Sequence, residues 1–205
     1  MKKTSSRYLS FSYAICLGLL LLAMGCKKTG STSSTIPFQG PRNPGFESNS
    51  DWISATISQS PLFVYKTGTG FLPSQGVYYG YFTNFNSNGA ASGNYAVANI
   101  YQDNVDFSHS TTMTFDYTFT YAPYWSPMPA TASVTVQFLF TANGTVTLWQ
   151  QTINAATTPI QVKNASFTIP SLPTAGRFLI QLTAQNGSST FYPTGNFSID
   201  NIRVN

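Results

Sequence analysis

Apolar residues recur at every second position in three stretches of this sequence. Residues 112–121 (TMTFDYTFTY) place Met113, Phe115 and Tyr117 on one face, and residues 133–141 and 178–185 repeat the pattern. Successive side chains of a strand point to opposite sides, so a period of two residues marks a strand with one buried face. No window of ten or more residues shows the 3.6-residue period of an amphipathic helix. The sequence therefore predicts an all-β fold.

Shorter segments of the same character surround these three, and turn signals separate them. The shorter segments are residues 55–58, 76–83, 95–102, 146–153, 166–169 and 196–204. Three Asn-Gly pairs, at residues 88–89, 143–144 and 186–187, mark turns. Eight to ten strands at this spacing predict an antiparallel β-sandwich or jelly roll over residues 41–205.

Residues 1–25 have the features of an export signal. A basic start is followed by an apolar run at residues 13–24, which is too short for the ~20 residues of a spanning helix. Residues 22–26 (LAMGC) resemble the lipobox of bacterial lipoproteins, which implies that Cys26 carries a lipid. The alternative is an ordinary secretory signal followed by an incidental cysteine.

Residues 26–40 then form the lipidated cysteine and a flexible tether, rich in Lys, Gly, Ser and Thr. Two or three acyl chains would hold the protein stably at a membrane. Lys27 and Lys28 stand where an inner-membrane retention signal has aspartate. This favours the outer membrane in a cell that has two membranes, so the expected place is the bacterial cell envelope, with display at the cell surface as a further expectation.

The charge of the chain argues against nucleic-acid binding. The net charge of +4 includes Lys2, Lys3 and Arg7, which leave with the signal. Seven basic and six acidic residues remain. The basic residues do not form a stripe that could follow a phosphate backbone. Residues 41–205 contain no cysteine, which excludes a disulfide there.

Several short motifs together resemble a known family. They are residues 43–47 (NPGFE) before Trp52, residues 93–95 (GNY), residues 101–106 (YQDNVD), residues 113–117 (MTFDY) and residues 196–204 (NFSIDNIRV). Their order and spacing resemble the galactose-binding-like jelly rolls, particularly carbohydrate-binding module families 4, 9 and 22. The resemblance implies a glycan-binding β-sandwich.

The resemblance also implies a structural calcium ion, with Glu47 and Asp200 as side-chain ligands. The first and last strands of a jelly roll can lie side by side, and calcium bridges carboxylates that meet there. The alternative is that both carboxylates cap turns by accepting hydrogen bonds from backbone N–H groups.

The sequence does not predict an enzyme. Glycoside hydrolysis needs two carboxylates roughly 5–10 Å apart beside the scissile bond. Glu47 and Asp200 are assigned to calcium, while Asp103 and Asp106 are predicted turn residues. His109 is the only histidine and lies in a predicted surface turn, so no oriented base for a catalytic triad is evident.

Aromatic rings and amides suit the apolar faces and hydroxyl groups of sugars. The candidate carbohydrate-binding residues are Tyr79, Tyr81, Asp116, Trp125, Gln137, Trp149 and Gln181. Trp149 would share a face with Gln137 and Gln181 if Leu148 is buried. The alternative to sugar binding is, for Asp116, a solvated position on the strand. For Trp125 it is a loop that folds the ring back over the edge of the sandwich.

The sequence thus predicts a membrane-anchored, non-catalytic glycan-binding lipoprotein that holds polysaccharide or glycoconjugate at the cell envelope. The competing prediction is a structural or adhesive β-sandwich that contacts a protein partner there, because a fold alone does not settle function.

Overall fold

The computed structural model describes residues 38–48, 50–56, 62–68, 70–83, 96–122, 131–172, 175–185 and 193–205. The strands are β1 (Phe38–Gln39), β2 (Ile53–Thr56), β3 (Leu62–Thr67), β4 (Tyr78–Thr83), β5 (Ala96–Asp106), β6 (Thr112–Ala122), β7 (Ser133–Thr141), β8 (Thr145–Asn154), β9 (Ile160–Thr168), β10 (Gly176–Gln185) and β11 (Thr194–Val204). Within these ranges there is no helix, and so none that could span a membrane. The predicted all-β fold is confirmed.

The strands form two sheets that pack face to face as a jelly-roll sandwich. Sheet I has the order β1-β5-β10-β7-β8, with β2 also paired to β5. Sheet II has the order β3-β4-β11-β6-β9. The assigned pairs are antiparallel except for β1, which runs parallel to the end of β5 at Val105 and Asp106.

The alternation seen in the sequence sorts the side chains between core and surface. In β7 the even positions from Val134 to Phe140 are buried, and in β10 those from Phe178 to Ala184 are buried. The facing residues of β6, such as Phe115 and Phe119, complete the core from sheet II. Burying apolar surface between the sheets is the main source of stability for such a sandwich.

Most predicted strands differ from the observed ones by a few residues at an end, and three strands depart further. β1 lies inside the predicted tether, and residues 37–205 form one compact unit that contains all the core residues. β3 was missed because residues 62–65 (LFVY) form a continuous apolar run with no period of two. β9 starts at Ile160, six residues before the predicted start at residue 166. Its period of two is broken by a β-bulge in which Lys163 and Asn164 together oppose Asp116.

Candidate functional site

The outer face of sheet I carries a row of amide side chains that crosses four adjacent strands. Asn99 of β5 pairs with Gln181 of β10, Gln181 pairs with Gln137 of β7, and Gln137 pairs with Gln150 of β8. Directly paired residues share a face of the sheet, so these four side chains form one line, here called the amide row. At the usual spacing of ~4.8 Å between strands, the row is about 14 Å long.

The amide row retains hydrogen-bonding capacity. Gln137 Nε2 donates to Gln150 Oε1 at 3.0 Å, which leaves the outer atoms of both amides available. Among the described residues, the side chain of Gln181 forms no hydrogen bond. Asn99 is only 5% exposed, and its Oδ1 is buried and has no hydrogen-bond donor among the described residues. A buried acceptor without a partner is costly, so this end of the row favours a bound water that donates to Asn99. The accessible part of the row is therefore formed by Gln181, Gln137 and Gln150.

An apolar row runs beside the amide row on the same face. It consists of Tyr101 of β5, Leu179 of β10 and Leu139 of β7, with Ile53 of β2 at its end. Ile53 is 48% exposed, and the other three are partly exposed. A polar line next to an apolar line can hydrogen-bond hydroxyl groups while covering the apolar face of a ring, which is the combination that ligand sites show.

Of the predicted carbohydrate-binding residues that the structure describes, only Gln137 and Gln181 lie together on this face. Trp149 does not join them. It pairs with the buried Phe138, and its ring lies 5.0 Å from the rings of both Phe138 and Phe115. The register between β7 and β8 shifts beside it, so a β-bulge at Leu148 turns both Leu148 and Trp149 inward. The prediction that Trp149 shares the polar face is therefore wrong.

Tyr79 and Tyr81 lie on the opposite side of the sandwich, on the outer face of sheet II. Lys66 Nζ lies 3.3 Å from the ring centroid of Tyr81, and the Tyr81 hydroxyl donates to Asn196 Oδ1 at 2.8 Å. Burial raises the pKa of Tyr81. Because a lysine already covers its ring, Tyr81 cannot offer that face to a sugar without moving Lys66.

Asp116 also faces outward from sheet II, but it is only 3% exposed. Its Oδ1 accepts a hydrogen bond from Asn164 N at 2.6 Å, and its Oδ2 accepts one from Asn201 Nδ2 at 3.1 Å. Burial opposes ionisation, but hydrogen bonds from Ser74 and these two residues, with the charge of Arg203, lower its pKa overall. Asp116 is therefore neither placed to contact a sugar nor solvated, so both the prediction and its alternative are wrong. Its carboxylate links strands β6, β9 and β11.

Asp200 lies directly opposite Asp116 across β6 and β11 and is fully buried. Its Oδ2 accepts hydrogen bonds from Ser74 N, Ser74 Oγ and Gln75 N at 2.6, 3.1 and 2.9 Å. Burial outweighs these bonds and raises its pKa. Glu47 binds the next residues of the same loop, where its carboxylate accepts hydrogen bonds from Val77 N and Tyr78 N at 2.9–3.0 Å. These contacts match the turn-capping alternative.

An oxygen-lined niche nevertheless lies beside these carboxylates. A Cβ placed on the buried Gly45 would lie 3.3 Å from Gln75 Oε1 and 3.7 Å from Asp200 Oδ1. Both atoms are oxygen ligands of the kind that calcium takes. Among the described residues, only Asn201 N donates a hydrogen bond to Asp200 Oδ1. Within the described ranges, no group of three or more His, Cys, Asp or Glu side chains could hold a metal. A calcium ion here would thus need Gln75 and backbone carbonyls besides Asp200 and Glu47.

Two predicted residues, Cys26 and Trp125, lie outside the described residues. Among residues that the sequence did not single out, Asn99 and Gln150 complete the amide row, and Tyr101 belongs to the apolar row. Asp103, predicted as a turn residue, lies inside β5. The alternating patterns of β5 and β8 place these side chains outward, but only the strand order brings them beside Gln137 and Gln181.

Comparison with known proteins gives structural similarity only. No protein-family model matches the chain, and no curated protein matches it. The sandwich is similar to carbohydrate-binding modules. A family 61 module in complex with β-1,4-galactotriose covers 82% of this chain and 97% of its own, at 15% identity and a TM-score of 0.41.

Two cellulose-binding domains show the same degree of similarity. A family 28 module specific for non-crystalline cellulose covers 82% of this chain and 96% of its own, at 13% identity and a TM-score of 0.47. The N-terminal cellulose-binding domain of β-1,4-glucanase C from Cellulomonas fimi covers 81% and 97%, at 17% identity and a TM-score of 0.43. These similarities concern the sandwich, whereas the surfaces described above belong to this chain.

Proposed function

We propose that the chain is a membrane-anchored, non-catalytic glycan-binding lipoprotein, and that the outer face of sheet I binds the glycan. The observation that carries this proposal is the amide row, aligned in register beside the apolar row. Each amide both donates and accepts, as sugar hydroxyls require. Because the row crosses the strands, an extended oligosaccharide would lie across sheet I and not along one strand.

The test is a binding screen of residues 37–205 against a glycan array and insoluble polysaccharides in calcium buffer. We expect binding to one class of glycan. The double substitution Gln137→Ala/Gln181→Ala should weaken it about 30-fold, because two side chains that each contribute about 1 kcal/mol through hydrogen bonds are removed.

Gln161→Ala is the matched control, because Gln161 is exposed on the outer face of sheet II. It should leave affinity unchanged. If the double variant binds as tightly as the wild type, the glycan does not occupy the amide row. If a folded wild-type domain binds no glycan at all, the adhesive function with a protein partner in the envelope becomes the better account.

The membrane anchor is the second part of the proposal. The sandwich begins at Phe38, twelve residues after Cys26, so the tether would hold it within about 40 Å of the membrane. We expect the full chain, made in bacteria fed with labelled palmitate, to incorporate the label and to fractionate with outer membranes. Cys26→Ser should abolish both. Label incorporation by the serine variant would mean that Cys26 is not the acceptor.

A structural calcium ion is the third part. The niche beside Gly45, lined by oxygens of Asp200 and Gln75, supports it. Glu47, which binds the same loop, is the third proposed side-chain ligand. Calcium supplies positive charge where Asp200 and Asp116 lie opposite each other, and it would tie the loop at residues 74–78 to β11. The measurement that tests for this calcium ion is the melting temperature of residues 37–205 with and without a chelator, which should differ if the ion is bound.

A further inference from the structure

A cavity lies at one end of the proposed glycan-binding face. It is a shallow depression, open to solvent, with a volume of about 560 Å³, and its lining includes Asp103, Asn104, Thr141, Gly176, Arg177 and Leu179. Leu179 also belongs to the apolar row, so the cavity continues the outer face of sheet I. None of the predicted site residues lies in it.

A β-bulge builds this cavity. Gly176 pairs with Val105 and Phe178 pairs with Gln102, so the single residue Arg177 opposes both Asp103 and Asn104. Asn104 adopts a left-handed conformation, with φ of 60°. Bulges re-aim side chains and recur beside functional sites. Here the bulge directs the Asp103 carboxylate towards the Arg177 guanidinium.

Two contacts fix the Arg177 guanidinium. It lies 4.0 Å from the ring centroid of Tyr101, and it binds Asp103 through two bonds, Nε to Oδ1 at 2.7 Å and Nη2 to Oδ2 at 3.2 Å. A planar guanidinium held by both a ring and a carboxylate is pre-organised, so little ordering is needed when it binds a ligand. The two side chains remain 47% and 55% exposed, so they are accessible.

The Arg177–Asp103 pair presents donors and acceptors side by side with no net charge. The free N–H groups of Arg177 can donate to a hydroxyl oxygen, and the remaining lone pairs of Asp103 can accept from a hydroxyl group. Two neighbouring hydroxyls of a sugar ring match this arrangement. A sugar carboxylate does not, because it would face Asp103 at close range and like charges repel.

We propose that this cavity is a subsite for an uncharged sugar unit, bound through neighbouring hydroxyls, and that Asp103 selects against uronic acids. The inference rests on the proposed glycan-binding function and names the class of glycan: neutral polysaccharides. The cavity lies on the far side of the apolar row from the amide row, so its sugar would be a branch of the chain segment that lies on the amide row.

The test compares residues 37–205 with the variants Asp103→Asn and Arg177→Gln on matched neutral and uronate-containing oligosaccharides. We expect the wild type to prefer the neutral series. Arg177→Gln should weaken neutral binding about tenfold or more, since it removes charge-assisted hydrogen bonds. Asp103→Asn should narrow the preference for neutral over acidic ligands. Arg203→Gln, which changes an arginine on sheet II, is the control and should change neither.

An NMR titration gives a direct readout. Residues 37–205 contain only three arginines, Arg42, Arg177 and Arg203, so the Arg177 Nε–Hε signal can be assigned from the Arg177→Gln spectrum. Neutral ligand should shift that signal. Neutral binding without a shift, unchanged affinity in both variants, or a preference for uronates would each overturn the subsite and leave the amide-row proposal standing. A folded wild type that binds neither series would overturn both.

Discussion

Trp149→Ala is expected to lower the free energy of unfolding by about 3 kcal/mol, the low end of the range for large-to-small changes at buried aromatic positions, because Trp149 is partly buried against the core. The Trp149 ring contacts rings of both sheets. Its centroid lies 5.0 Å from that of Phe138 in sheet I, and 5.0 and 5.4 Å from those of Phe115 and Tyr117 in sheet II. Removing it would leave a cavity lined by these rings. Urea denaturation followed by circular dichroism measures the loss.

Glycan affinity of the folded Trp149→Ala domain should remain close to that of the wild type, because the ring faces away from the amide row. Val146→Ala is the control on the same strand, since Val146 is 39% exposed and its loss should change stability by less than about 0.5 kcal/mol. A Trp149→Ala protein as stable as the wild type but unable to bind glycan would show that the ring contacts ligand.

Asp200→Ala is expected to cost at least about 3 kcal/mol. It would leave the N–H groups of Ser74, Gln75 and Asn201 without their acceptor, and an unsatisfied buried donor costs about 1–3 kcal/mol. The matched control is Asp106→Ala. Asp106 accepts hydrogen bonds from Ser108 alone, at an exposed turn where water can replace it, so its loss should cost about 1 kcal/mol.

Chelation separates the two roles proposed for Asp200. Calcium at about 100 times its dissociation constant contributes about 2.7 kcal/mol, so a chelator should lower the melting temperature of the wild type by about 5–10 °C. Asp200→Ala should show no such shift. If the chelator leaves the wild type unchanged while Asp200→Ala still unfolds early, then Asp200 caps the loop at residues 74–78 without calcium.

The all-β fold and most strands could be predicted from the sequence because alternation records directly which face of a strand is buried. β7 was predicted with the bounds that the structure has, and Phe138 and Phe140 were placed on its buried face. Alternation fails where a bulge inserts a residue. The bulge at Leu148 reverses the side on which Trp149 lies, and no local pattern signals it.

The binding face could be predicted only in part because it depends on strand order. Gln137 and Gln181 stand out as polar residues of clear strands, but their pairing with each other follows from β10 lying between β5 and β7. The same order separates them from Tyr81, which lies on the other sheet. Asp116 occupies a polar position of its strand, yet the loop that includes Ser74 and the bulge at Asn164 bury it.

The parallel pairing of β1 with β5 determines how the protein would bear mechanical force. β5 carries Asn99 and Tyr101 on its outer face, and near its end Val105 and Asp106 pair with β1, the first strand after the tether. With a polysaccharide across the four strands of the amide row and a lipid at Cys26, tension would pass within sheet I to β5 and from β5 through the few hydrogen bonds of β1. The contacts between the two sheets would then carry little of the load.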